Sequence, residues 1–95
     1  MNSKKILKTL EEKKDDLRKL GVKQIGLFGS FAKGKQTKKS DVDFLVELEI
    51  KTFDSYAELY LLLKKLFKRE IDLVIKENLR KELNYVKNEV QYAKI

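Results

Sequence analysis

A chain of 95 residues with 22 Lys+Arg against 15 Asp+Glu, net charge +7, has room for one hydrophobic core and favours anionic partners. Cysteine and histidine are absent, which excludes disulfides, thiolate or imidazole metal sites and a histidine general base. Any metal must be held by oxygen, which points to magnesium, manganese or calcium.

Taken alone, the charge reads as the solubility of a lysine-rich surface. No apolar run is long enough to span a bilayer, and Met1 is not followed by a signal-peptide pattern. The expectation is a soluble cytoplasmic protein with no membrane partner, made of a single domain over 1–95.

The first predicted element is a helix over 3–20, capped by Ser3 and ended by Gly21. Ile6, Leu7, Leu10, Leu17 and Leu20 fall on one side of it. The stripe thins at Lys13 and Lys14, where the helix would lift from the core. A strand comes next over 22–28 and breaks at Gly29-Ser30. Residues 31–35 suit a short helical turn closed by Gly34. Lys33, Lys35, Lys38 and Lys39 then place four positive charges beside the Gly-Ser bend.

A second strand covers 41–48 and a second helix 52–67. Ser55 and Glu58 have the spacing of a capping box. Tyr56, Leu59, Tyr60, Leu63, Leu66 and Phe67 give this helix a wide apolar face. A third strand covers 70–75, with Asp72 near its middle. A last helix is expected over 78–93, capped by Asn78. Leu79, Leu83, Val86, Val90 and Ala93 recur on it at spacings of four and three. The order α-β-(turn)-β-α-β-α implies a small α/β (α+β) fold, a mixed sheet flanked by helices.

Chemistry concentrates between Ile25 and Asp72. Asp41 and Asp43 are two apart in a strand, so both side chains face one way, with Cα atoms about 6.5–7 Å apart. They can converge on hard cations while Val42, Phe44 and Val46 face the core. If the third strand lies beside the second, Asp72 sits over this pair. There it would complete the site and take the proton of an attacking hydroxyl. A glycine ending a strand lets backbone approach a phosphate closely, and the Ser30 hydroxyl can add a hydrogen bond. Lys33 can neutralise further phosphate charge.

Each piece has an ordinary reading. Gly-Ser is a turn, Asp-x-Asp a solvated strand end, and the lysines a wet loop. In combination and in this order they are far more specific.

The combination resembles the polymerase-beta nucleotidyltransferase superfamily. Within it, the sequence is most similar to the minimal nucleotidyltransferase (MNT) antitoxins that oppose HEPN-domain toxins. Gly29 to Gly34, G-S-F-A-K-G, resembles that family's G-S-F/Y-A-R-G. Ser40 to Val46, S-D-V-D-F-L-V, resembles its S-D-I/V-D-L/F-x-V, and Ile71 to Val74 its third-acid strand.

The resemblance implies transfer of AMP from ATP to a hydroxyl, with release of pyrophosphate. The acceptor it implies is a tyrosine of a partner HEPN toxin. Asp41, Asp43 and Asp72 would be catalytic and ligate two magnesium ions. Gly29, Ser30, Lys33 and Ser40 would bind the nucleotide. Lys33 stands where the family has arginine, which keeps charge and loses the planar fork.

A catalytic core of this size has little left to enclose base and acceptor, so a protein partner is expected to complete it, in a homo- or hetero-oligomer. The stripe Leu79, Leu83, Val86 and Val90 is read as core first and docking face second. Two alternatives stand beside the enzyme: a non-catalytic antitoxin that neutralises by binding alone, and a basic nucleic-acid-binding module. The latter ranks last, because aromatics do not interleave with the basic loop.

Overall fold

The computed structural model describes residues 1–50, 52–78 and 89–95. Its elements are α1 (Ser3–Glu12), α2 (Lys14–Lys19), β1 (Val22–Phe28), α3 (Gly29–Lys33), β2 (Val42–Leu48), α4 (Phe53–Phe67), β3 (Ile71–Ile75) and β4 (Gln91–Tyr92). A single 3-10 turn, Lys76–Asn78, comes after β3. The four strands form one sheet in the order β3-β2-β1-β4. β1 pairs antiparallel with β2 and with β4, and β2 pairs parallel with β3 through the α4 crossover. This is the expected mixed sheet flanked by helices.

Alternation in the strands decides the faces. Val42, Phe44 and Val46 are fully buried. Their partners Leu27 and Ile25, opposite Phe44 and Val46, share that face. Ile6, Leu10 and Leu17 from the first two helices join this core, with Phe31 from α3 and Leu59, Leu63 and Phe67 from α4. Phe67 meets Phe44 with ring centroids 5.6 Å apart. The opposite parity in β2 and β3 carries Asp43 and Asp72.

The expected first helix is two helices. Asn2, not Ser3, is its cap, accepting from the Lys5 amide at 3.0 Å. Lys13 leaves helical geometry (φ -104, ψ 17), and its amide is shared between the Thr9 and Leu10 carbonyls. The bend falls where the apolar stripe is interrupted and lets Leu17 reach the core beside Ile6 and Leu10. Gly21 has φ +83, the left-handed conformation expected there.

The α4 cap also differs. Thr52 accepts from the Ser55 amide at 3.1 Å, so Ser55 is inside the helix and the Ser55–Glu58 box is not formed. Residues 79–88, with Leu79, Leu83 and Val86, lie outside the described residues. From Gln91 the chain is extended, where a helix to Ala93 was expected. Gln91 and Tyr92 pair with Leu27 and Gly26, and the Ala93 amide donates to the Ile25 carbonyl at 3.0 Å. Gly26 explains the strand. A Cβ there would run into Val90 and Tyr92, so the missing side chain makes room for the returning chain.

Candidate active site

The acids gather at one end of the sheet. β2 and β3 are parallel, so their N-terminal ends lie together, and antiparallel β1 brings its C-terminal end to the same edge. Val42 pairs with Ile71 and Asp43 with Asp72. Asp43 also faces Phe28, which puts Gly29 directly beside it. A Cβ on Gly29 would collide with Asp43 Oδ2, and its φ of +74 excludes most other residues independently. The glycine of the Gly-Ser bend is therefore required by contact with the acid. Ser30 stands next to it, partly buried in the first turn of α3.

Electrostatics single out Asp43. Its carboxyl is pushed up from 3.8 to about 6, first by burial, then by the charges of Asp72 and Asp41 and a hydrogen bond with the Asp72 side chain. Asp72 and Asp41 are both exposed. Asp43 and Asp72 thus form a touching pair, and Asp41 acts on them by charge. Among the described residues no three acidic side chains converge into a ready-made cation cage. Three carboxylates without a counter-ion repel, and Asp41 lies just before β2, in a cleft with Lys38, Lys39, Lys68 and Arg69.

A divalent cation fits this donor set. The donors are hard carboxylate oxygens, and the charge and burial that raise Asp43 are a penalty such an ion would relieve.

Lys33 and Ser40 are placed differently from the acids. Lys33 ends α3 and pairs with Glu89 at 3.4 Å. The Ser40 hydroxyl accepts from the Thr37 amide at 2.8 Å, which shapes the loop before Asp41. Gly34, with φ +70, closes α3 as expected, and nothing crowds it.

Two residues outside the expected site set hold the site in place. Arg69 donates to the carbonyls of Lys38 and Ser40, each at 3.1 Å, and lies over the Phe31 ring at 5.3 Å. It ties the loop before β2 to the start of β3. Tyr56 donates from α4 to the Leu73 carbonyl at 2.8 Å, next to Asp72, whose charge helps burial raise the phenol's pKa. A tyrosine in a helix's apolar face is a signal for such a tie. For Arg69 a helix-ending Lys-Arg pair offers none. A separate apolar groove of about 520 Å³, lined by Leu48, Phe53, Tyr56 and Leu73 among others, lies between α4 and β3 and holds none of the acids.

Two strand acids thus stand in register beside a glycine bend, with a third at the strand end. Residues 3–95 match the nucleotidyltransferase domain family, and the chain belongs to it. A predicted protein adenylyltransferase of Methanocaldococcus jannaschii is 38% identical, over 90% of this chain and 94% of that one. The protein adenylyltransferase MntA of Thermococcus cleftensis is 39% identical over 72% of this chain and 70% of its own. A solved MntA–HpeT toxin–antitoxin complex is similar in fold, with TM-score 0.65 and 26% identity, covering 97% of this chain and 71% of that chain.

Proposed function

We propose that the chain is the antitoxin of a toxin–antitoxin pair. In this reading it transfers AMP from ATP to a tyrosine hydroxyl of a HEPN-domain partner in the cytoplasm. The observation that carries the reading is the Asp43–Asp72 pair in register against Gly29. The identity to protein adenylyltransferases supports the donor and the reaction, and the motif resemblance supports the HEPN partner.

In this mechanism Gly29 and Ser30 hold the triphosphate against the acids. Asp41, Asp43 and Asp72 would hold magnesium. Bound there, it would supply the positive charge that offsets charge on the phosphate oxygens. Asp72, the exposed member of the pair, accepts the acceptor's proton. The acceptor oxygen bonds to the α-phosphorus, the bond from that phosphorus to the bridging oxygen breaks, and pyrophosphate leaves with the electron pair. Lys33 neutralises phosphate charge once it leaves Glu89. The span 1–95 acts as one minimal domain.

Incubation with labelled ATP, magnesium and the cognate HEPN protein should label that protein at tyrosine. Asp43→Asn should abolish the label while the fold persists. Absence of transfer from every nucleoside triphosphate would remove the enzymatic reading.

A second reading, neutralisation by binding alone, is favoured by the Lys33–Glu89 pair, which occupies the phosphate-binding cation. It requires that Asp43→Ala still protects cells from the toxin.

A further inference from the structure

A cleft of about 380 Å³ opens at the acid end of the sheet, over the β2–β3 seam. It is lined by Lys38, Lys39, Ser40, Asp41, Lys68, Arg69 and Glu70. Its charges are unevenly committed. Arg69 is fixed on two carbonyls and the Phe31 ring. Glu70 is paired with Lys64 at 3.0 Å. Lys38, Lys39 and Lys68 have no ion-pair partner among the described residues. Three lysines without an ion-pair partner among the described residues therefore line one concavity, together with the acid Asp41.

Lys68 is also the one non-glycine with positive φ among the described residues (φ 53). Glycine would suit that helix end better, so the chain keeps a cation there at a conformational cost.

Position assigns the cleft a side. Along the sheet edge the order is β3, β2, β1. The Gly29–Ser30 bend lies on the β1 side of the acids, and the cleft lies over the N-terminal ends of β2 and β3, away from β1. In a displacement in line, donor and acceptor oxygens approach the phosphorus from opposite sides.

We propose that this cleft binds an anionic group of the acceptor protein, a phosphate or clustered carboxylates flanking the hydroxyl to be modified. Lysines serve such ligands as point charges. The word acceptor rests on the adenylyl-transfer reading; the anion site itself does not.

The test titrates two probes into the isotope-labelled protein saturated with the ATP analogue AMP-PNP: acetyl-phosphotyrosine amide, and a tyrosine peptide flanked by glutamates. Chemical shifts of residues 38–41 and 68–70 and a salt-sensitive affinity are expected for at least one probe. Lys39→Ala and Lys68→Gly should each weaken that affinity by about 5-fold, the scale of one exposed charge, and leave AMP-PNP affinity within about 2-fold.

Lys68→Gly should also raise the melting temperature, so its loss of binding cannot be a folding defect. Preference for the phosphate probe or for the peptide identifies the source of the charge. If neither probe binds, or binding is indifferent to both substitutions, the proposal fails. It fails also if AMP-PNP affinity drops in step, which would make the cleft part of the donor site. Probe binding in a protein that transfers no AMP would remove the reaction and leave the cleft.

Discussion

Asp43 on β2 stands opposite Asp72 on β3 in the parallel ladder, and after burial the charge of Asp72 is the main influence raising the Asp43 carboxyl. Burial and a neighbouring carboxylate both make the ionised form of Asp43 costly. The chain tolerates that arrangement at a cost that depends on pH.

Linkage sets the sign of that dependence. Asp43 is raised from 3.8 to about 6 on folding, so between those values the folded protein binds more protons than the unfolded one. Stability from this group is present at the acid end and is lost as pH rises through about 6. Without divalent ions, the melting temperature of Asp43→Asn should exceed that of the parent at pH values above this window. The difference should shrink towards its acid end. Magnesium should raise the parent's melting temperature at neutral pH and do so less for Asp43→Asn. Thermal melts across pH, with and without magnesium, check all three.

Gly29 and Gly34 make a controlled comparison, because both have φ near the left-handed region but only Gly29 touches an acid. Gly34→Ala should cost about 1 kcal/mol, the conformational penalty alone, and keep activity. Gly29→Ala adds a collision with Asp43, should cost about 2 kcal/mol or more, and should abolish transfer. Denaturant melts and the labelling assay separate the two.

At the start of α4, Thr52→Ala should destabilise the protein by about 1 kcal/mol through loss of the cap. Glu58→Ala, at the position of a box that is not formed, should stay within about 0.5 kcal/mol. Equal losses for the two would restore the capping box.

Glu89 holds Lys33 through an ion pair that is partly exposed, with side-chain accessibilities of 46% for Lys33 and 35% for Glu89. Such a pair contributes at most about 1 kcal/mol. Glu89→Gln should therefore tighten ATP by up to about 5-fold. Calorimetric titration measures it, and weaker binding would mean that Glu89 orients Lys33 and does not compete for it.

The strands that carry the acids are legible in sequence, because Val42, Phe44 and Val46 alternate with Asp41, Asp43 and Leu45, and a period of two has one structural meaning. The helices are less so. The Ser3-to-Leu20 stripe has the right spacing on both sides of Lys13, and periodicity does not register a bend that preserves it. At the C-terminal end, Val90 and Ala93 fit a helical spacing, yet Gln91 and Tyr92 pair with β1, because Gly26 leaves room for Val90 and Tyr92. A glycine within a strand is the available signal. Arg69 gives no local pattern at all: its partners are carbonyls, which every residue has.

Only three residues, Lys68 to Glu70, join α4 to β3, and two of them are constrained, Lys68 by its backbone and Arg69 by its bonds. Such a connection has no slack with which to absorb an extra residue. A one-residue shift in the ladder would bury Asp72 and turn a leucine or isoleucine outward. Relatives should therefore vary freely in the length of the lysine loop before β2, where chain can be spooled out into solvent, and hardly at all between α4 and β3.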